Sequence, residues 1–171
     1  MLRTDLFDLG AMSLHSGEGR RLELAVAIEP YQLGGERYAL GEELVHTHLD
    51  VSRTTGPGWA LRLRFQATLR GPCMRCLREA LVPLAVDARE ISQPEAGEEL
   101  SSPYVAGGVL DLHAWARDAL ALSLPPVLLC RSDCAGLCAI CGVDLNDAPP
   151  GHHHERPPDP RWAKLSELRF E

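Results

Sequence analysis

The chain has 171 residues, 45% of them hydrophobic, which suits one domain with a real core or one domain carrying a metal-stapled appendage. Seventeen basic against twenty-four acidic residues give a formal charge of −7, a balance that works against bulk attraction to phosphate polymers. No run approaches the roughly 18 consecutive apolar residues of a membrane span, and Met1-Leu-Arg-Thr-Asp does not open as a signal peptide does, so the expected location is cytoplasmic.

Residues 1–19 read as a short anchoring segment, Leu6-Phe7-Asp8-Leu9, followed by a glycine- and serine-rich turn. Leu22, Leu24, Val26 and Ile28 then alternate with shorter or charged residues, the period of a half-buried strand that Pro30 closes. Gly34-Gly35 marks a turn, and Leu44 to Val51 predicts a weaker strand with His46 and His48 on one face. Two histidines at i and i+2 are a metal-ligand spacing, but no third ligand lies near them in sequence, and an exposed strand face explains them equally.

After the turn at Gly56-Pro57-Gly58 comes the clearest strand of the chain. Trp59, Leu61, Leu63, Phe65, Ala67 and Leu69 share one face, and Arg62, Arg64 and Arg70 share the other. With Arg75 and Arg78 just beyond, these arginines form a candidate phosphate-binding stripe in an otherwise acidic protein, or simply a solvated outer face. Sixteen of the seventeen basic residues are arginine, which compositional bias explains as well as phosphate recognition does. The strand runs into Cys73-Met-Arg-Cys76, and alternation resumes at Val82, Leu84, Val86 and Ala88, so the pair is expected at the tip of a hairpin. Residues 92–103, rich in Glu, Ser, Pro and Gly, read as an exposed loop with the composition of a disordered segment.

Asp111 is placed to cap a helix over about 111–123. Its buried stripe would be Leu112, Trp115, Ala116, Ala119, Leu120 and Ser123, with Arg117 and Asp118 outside. Pro125-Pro126 ends it. A final short helix is expected over Asp159 to Leu168, docking through Trp162, Leu165 and Leu168.

Four of the six cysteines fall between Cys130 and Cys141. A C-x-x-C pair holds two thiolates on one tight turn where both sulfurs reach a single ion, and a reducing cytosol keeps thiols free for metal, so zinc is expected ahead of disulfides. Cys138 and Cys141 precede His152-His153-His154, and two histidines separated by one residue can complete a Cys2His2 set with them. The same histidines also suit a flexible polar tract. A dithiol redox role for Cys73 and Cys76 shares the C-x-x-C spacing but lacks the usual helix N-terminal setting. A metal hydrolase lacks any H-E-x-x-H pattern.

Together these segments resemble the bacterial and chloroplast family named for large ribosomal RNA subunit accumulation, the YceD-like proteins. The resemblance rests on Cys73-Met-Arg-Cys76-Leu after a strand, on Leu122-Ser-Leu-Pro-Pro, on Cys130-x-x-x-Cys134-Ala-Gly-Leu-Cys138-x-x-Cys141-Gly-x-Asp-Leu-Asn, and on Asp159-Pro-Arg-Trp. These motifs cover the second half of the chain. The resemblance implies a non-catalytic cytoplasmic factor supporting synthesis, processing or stability of 23S ribosomal RNA, with partners that are this RNA or its precursor, or a ribosomal protein or assembly factor. It also implies two separable zinc sites: Cys73, Cys76, Cys130 and Cys134 at one ion, and Cys138, Cys141, His152 and His154 at the other. The family frequently has a C-x-C pair after Asp-Leu-Asn, where this chain has Pro150 and His152, so which histidines bind stays open. So does a purely local site of Cys130, Cys134, Cys138 and Cys141 that leaves Cys73 and Cys76 free.

The expected fold is therefore α+β: an antiparallel, strand-rich curved sheet or partial barrel over residues 1–125, with one packed helix. A Cys/His-rich tail over 126–171 docks on it within a single domain.

Overall fold

In chain order, β1 (Leu6–Asp8) leads to β2 (Gly19–Val26), a hairpin of β3 (Tyr31–Leu33) and β4 (Glu36–Leu40), and then the long strands β5 (Val45–Arg53), β6 (Trp59–Pro72) and β7 (Glu79–Ser92). A second small hairpin, β8 (Val105–Ala106) and β9 (Val109–Asp111), runs directly into α1 (Leu112–Leu122). This computed structural model describes residues 3–93, 95, 97–154 and 161. The expected helix over Asp159 to Leu168 lies outside the described residues, Arg161 apart.

Alternation decides which face of each long strand is core. β5 buries Val45, Thr47, Leu49 and Val51 and exposes His46 and His48. β6 buries Trp59, Leu61, Leu63, Phe65 and Leu69. All strand ladders are antiparallel. β6 is the spine. One edge pairs with β7 over its whole length, from Trp59 opposite Ser92 to Pro72 opposite Glu79; the other pairs first with β5 and then with β4. β2 flanks β5, and a separate three-stranded sheet has the order β1-β9-β8.

The β3–β4 connection is the two-residue turn Gly34-Gly35, with φ of 62° and 88°, the left-handed pair that a tight hairpin turn requires. Tyr38 of β4 is buried with its ring over Gly71, where any Cβ would collide with it, and its hydroxyl donates to the Pro72 carbonyl at 2.8 Å. That contact fixes the end of β6 just before the first cysteine.

α1 closes the core. Asp111 caps it by accepting from the Ala114 N–H at 2.8 Å, and Leu112, Trp115, Ala116, Ala119 and Leu120 are buried, as the helical spacing predicts, while Ser123, expected on the same stripe, is the half-buried C-cap. The helix packs against β1 and against β2 and β7, the outer strands of the β2-β5-β6-β7 run. Strands about 4.8 Å apart would put those two roughly 14 Å from each other in a flat sheet, beyond the width of one helix, so the sheet curves around α1.

Most described residues between 92 and 103 are exposed, as expected, but the stretch is tied down by its backbone. β7 continues to Ser92, a 3-10 turn forms at Glu98–Leu100, and the Gln93 N–H donates to the Leu100 carbonyl at 2.7 Å. Polar composition hid this closure, because a backbone bond across the loop leaves no mark on side-chain pattern. β1 is likewise more than an anchor: it pairs with β9, Phe7 opposite Leu110, and so ties the start of the chain to the helix N-terminus.

Candidate metal centres

The β6–β7 hairpin ends in a knuckle. The Cys73 N–H donates to the Arg78 carbonyl at 2.7 Å, one rung beyond the strands, and the Leu77 N–H closes the turn on the Cys73 carbonyl at 3.0 Å. The second C-x-x-C repeats this turn: the Gly142 N–H donates to the Cys138 carbonyl at 2.8 Å. Both closing residues have left-handed backbone, φ 73° at Gly142 and 63° at Leu77. In the first knuckle that position thus holds a leucine, 64% exposed, where the second holds the residue suited to it.

Across from the first knuckle the tail delivers two more thiols. Cys134 Sγ lies 3.8 Å from Cys73 Sγ, and Cys130 Sγ lies 3.6 Å from Cys76 Sγ, with all four sulfurs within 4.8 Å of one another. A disulfide would need about 2.05 Å, whereas a tetrahedron of Zn–S bonds near 2.3 Å has edges of about 3.8 Å. The cysteines are free thiols, and the observed separations match the tetrahedron. Cys73, Cys76 and Cys134 are buried and Cys130 half-buried, packed with Ala80 and backed by Val82, Leu129 and Leu137.

The second cluster lies at the surface. Cys138, Cys141, His152 and His154 bring their ligand atoms within 4.8 Å of one another, with His152 Nε2 at 3.5 Å and His154 Nε2 at 3.2 Å from Cys141 Sγ. A mixed Zn–S and Zn–N tetrahedron has S···N edges of about 3.6 Å. Cys141 and His154 are exposed. His153 is not in this group; its Nδ1 pairs with the Gly151 carbonyl at 2.7 Å. Cys130 and Cys134 therefore group with the hairpin tip rather than with Cys138 and Cys141. Each cluster offers four protein ligands, the donor set of a closed structural site, with no position left for a reacting water.

Thiol acidity follows the local hydrogen bonds. Burial pushes the Cys73 thiol up, but the backbone N–H groups of Cys76, Arg75 and Cys130 outweigh it and bring the pKa down to about 6. Burial and the neighbouring Cys76, Cys134 and Cys73 sulfurs push Cys130 up to about 12. The backbone N–H of Cys141, then His152, hold Cys138 down at about 6. Such a mixture of ionised and protonated sulfurs is what four crowded thiols settle to before a cation neutralises them.

Sequence reasoning missed the clamp that joins the two clusters. Asn146 Oδ1 accepts from the Ala135 N–H and from Arg131 Nη2, both at 2.8 Å, and its Nδ2 donates to the Cys134 sulfur at 3.6 Å. Asp144 holds that amide through Oδ1, at 2.9 Å from the Asn146 N–H and 2.6 Å from its Nδ2, while Arg78 Nε reaches Asp144 Oδ2 at 2.7 Å. The signal was the Asp-Leu-Asn directly after the second C-x-x-C-Gly. Docking is completed by backbone: the Leu137 N–H donates to the Arg75 carbonyl at 3.2 Å, and a Cβ on Gly136, whose φ of 80° already favours glycine, would come within a tight 3.2 Å of that carbonyl.

The arginine stripe is built as the strand period predicts, but its cations are engaged. Arg62 makes a two-point pair with Asp87 at 2.7 and 2.6 Å, Arg64 meets Asp50 at 2.7 Å, and Arg70 lies 3.5 Å from Glu79. Arg78 bridges Asp144 and Asp147. Arg75 turns back to the Cys134 carbonyl at 2.9 Å instead of reaching outward. Hydrogen bonding to Arg21, and then to Arg64, holds the Asp50 carboxyl below the usual carboxylate range. His46 and His48 point from the outer face of β5 and join no group of potential ligands among the described residues.

A curved antiparallel sheet around one helix, with a tail folded into two four-ligand Cys/His clusters, defines a small α+β protein able to hold structural metal. The chain belongs to the family described as large ribosomal RNA subunit accumulation protein YceD, whose sequence pattern matches residues 61–169. It is similar to an uncharacterized protein of Mycobacterium tuberculosis (strain ATCC 25618 / H37Rv), 40% identical over 104 residues, covering 57% of this chain and 49% of the relative. An uncharacterized protein of Mycobacterium leprae is 38% identical over 102 residues, covering 56% and 46%. The chain thus spans about half the length of the curated relatives it matches. No solved structure matches it. Among the described residues, no helix is long and apolar enough to cross a membrane.

Proposed function

We propose that the chain is a non-catalytic, cytoplasmic ribosome-biogenesis factor that supports synthesis, processing or stability of 23S ribosomal RNA, and that two structural zinc ions hold its tail rigid against the sheet. The observation that carries this reading is the convergence of Cys73 and Cys76 with Cys134 and Cys130, at 3.8 and 3.6 Å across gaps of 61 and 54 residues. Such a site spends its whole coordination sphere on holding two segments together, which suits a docking surface and leaves no metal position for chemistry.

A second reading is favoured by the ion pairs of the stripe: the factor holds a basic ribosomal protein or assembly factor and meets RNA only through it. Arg62, Arg64, Arg70 and Arg78 each face a carboxylate and Arg75 a carbonyl, so phosphate would have to displace partners already in place.

Metal content of untagged protein, with a thiol titration, tests the site. Two equivalents of zinc with six protected thiols support it; no zinc and a reversible disulfide would point to thiol redox chemistry instead. Crosslinking with sequencing of bound RNA, on the native protein and on an Arg62/Arg64/Arg70 to Glu variant, separates the two readings. Crosslinks to 23S RNA that vanish in the folded variant support direct contact. Normal 23S levels without such crosslinks support the protein-mediated route.

A further inference from the structure

β7 has a single strand neighbour among the described residues, and the hydrogen-bond parity of the hairpin shows which of its backbone groups remain free. The Cys73 N–H meets the Arg78 carbonyl, so even-numbered positions on this side of the hairpin bond to the β6 line. Thr68, opposite Pro83, gives its carbonyl to the Gly41 N–H on the far side instead, at 3.3 Å. Gln93, odd-numbered, donates away from β6 to Leu100. The odd residues Ala85, Asp87, Arg89 and Ile91 therefore turn their N–H and C=O groups outward, and none of these has a partner among the described residues. Pro83, which has no N–H to offer, bounds this open edge at one end; the Leu100 carbonyl bounds it at the other.

Beside the open edge runs a groove of about 310 Å³ between α1 and residues 86–90 of β7, lined by Val86, Ala88, Glu90, Trp115 and Leu122 and bordered also by the oppositely charged Asp87 and Arg89. Leu122 is 88% exposed although the helix buries its neighbours Ala119 and Leu120. The half-buried Glu90 carboxylate has no hydrogen bond or ion pair among the described residues. We propose that the 85–91 edge of β7 is a strand-addition site for an extended segment of a partner protein, apolar where it enters the groove beside Leu122 and basic two residues along, at Glu90. A strand added about 4.8 Å from β7 satisfies the outward backbone groups and sends every second side chain into the groove.

Charge selects the occupant. The chain carries −7, and Glu90 asks for a cation, so a basic segment gains on both counts. A second copy is the poorer occupant: two chains of the same sign repel, and the inner face of β7, with Val86, Ala88 and Glu90, offers no cation in return. The inference goes beyond the ribosomal reading and stands or falls with the zinc sites and the RNA phenotype untouched.

The test uses full-length, zinc-loaded protein and a fluorescein-labelled peptide, Thr-Leu-Thr-Lys-Thr-Leu-Thr, followed by anisotropy. Saturable binding is expected, and Arg89→Pro, which removes an outward N–H together with a guanidinium whose loss by itself favours a basic peptide, should weaken it by about tenfold or more with the melting temperature retained. Leu122→Ser should weaken it as well. Because Arg89→Pro can fail to fold, the peptide is also N-methylated, either on its threonines or on its leucines and lysine. Pairing as a strand requires that one of these peptides loses binding and the other keeps it. No saturable binding at millimolar peptide, equal loss with both methylated peptides, or unchanged binding by folded Arg89→Pro overturns the proposal. So does a dimer in sedimentation that Arg89→Pro dissolves, since a second copy would then hold the edge.

Discussion

Replacing Cys130 by serine tests whether the tail is held by metal or by packing. Cys130 is the least buried ligand of the first cluster, so the change removes a sulfur with little loss of core. The apolar anchors near the start of the tail are Leu128, buried, and Leu129 and Leu137, partly buried; their burial stabilises by about 5 kcal/mol. Ordering the roughly 25 residues from Cys130 to His154 costs about 1 kcal/mol or more each in backbone entropy. Two structural zinc sites, of order 10 kcal/mol each, would supply that shortfall of about 20 kcal/mol. Cys130→Ser should therefore drop zinc from two equivalents to one and free the tail from the sheet without melting the β domain. Amide hydrogen exchange by NMR reads this residue by residue. The Leu137 amide, bonded to the Arg75 carbonyl across the docking surface, should lose protection; the Cys138 amide, bonded to Val143 within the second knuckle, should keep it, as should Leu63 in β6. A Leu137 amide that stays protected after one zinc is lost would refute the reasoning, because packing alone would then dock the tail.

Burial pushes the Tyr31 phenol up to about 12, and its hydroxyl donates to the Arg117 carbonyl at 2.5 Å. A raised folded pKa means this stabilisation is complete below about pH 10 and is lost as pH climbs through about 12. Tyr31→Phe should cost about 1 kcal/mol at neutral pH and flatten the alkaline limb of a urea-midpoint against pH curve. Asp111→Ala removes the α1 cap and should cost about 1 kcal/mol in the same denaturation assay; a change near zero would mean that β9 alone sets the helix start. Leu77→Gly relieves a left-handed leucine whose side chain packs on little, so thermal stability should hold or rise by up to about 1 kcal/mol, with zinc content unchanged.

The long elements were legible because each carries its own period. β6 shows two-residue alternation over its core face, and α1 shows a cap followed by a 3-4 stripe. β1, β8 and β9 are two or three residues long, and β1 takes its partner from about a hundred residues away, so no local pattern announces it. The structure groups Cys73, Cys76, Cys130 and Cys134, and Cys138 and Cys141 with His152 and His154, in the sets that the family resemblance implied, whereas the sequence left open which of the three histidines joins the second set. The arginines illustrate the opposite case. Alternation puts Arg62 and Arg64 in one row, but the carboxylates that occupy them, Asp87 and Asp50, come from neighbouring strands whose register only the folded sheet reveals. Asn146 was visible as part of a motif, yet its grip on Cys134 depends on a turn that exists only when the tail is folded.

The first cluster also imposes a timetable on synthesis. Cys76 leaves the ribosome 54 residues before Cys130, an interval of roughly 3–11 s at ordinary elongation rates of about 5–20 residues per second. Throughout it, the tip of the newly made hairpin is a bare dithiol with half a coordination shell, open to oxidants and to any stray soft metal. The ligands made first are thus the ones that must wait, and the nascent chain is at its most vulnerable just after its largest sheet has formed.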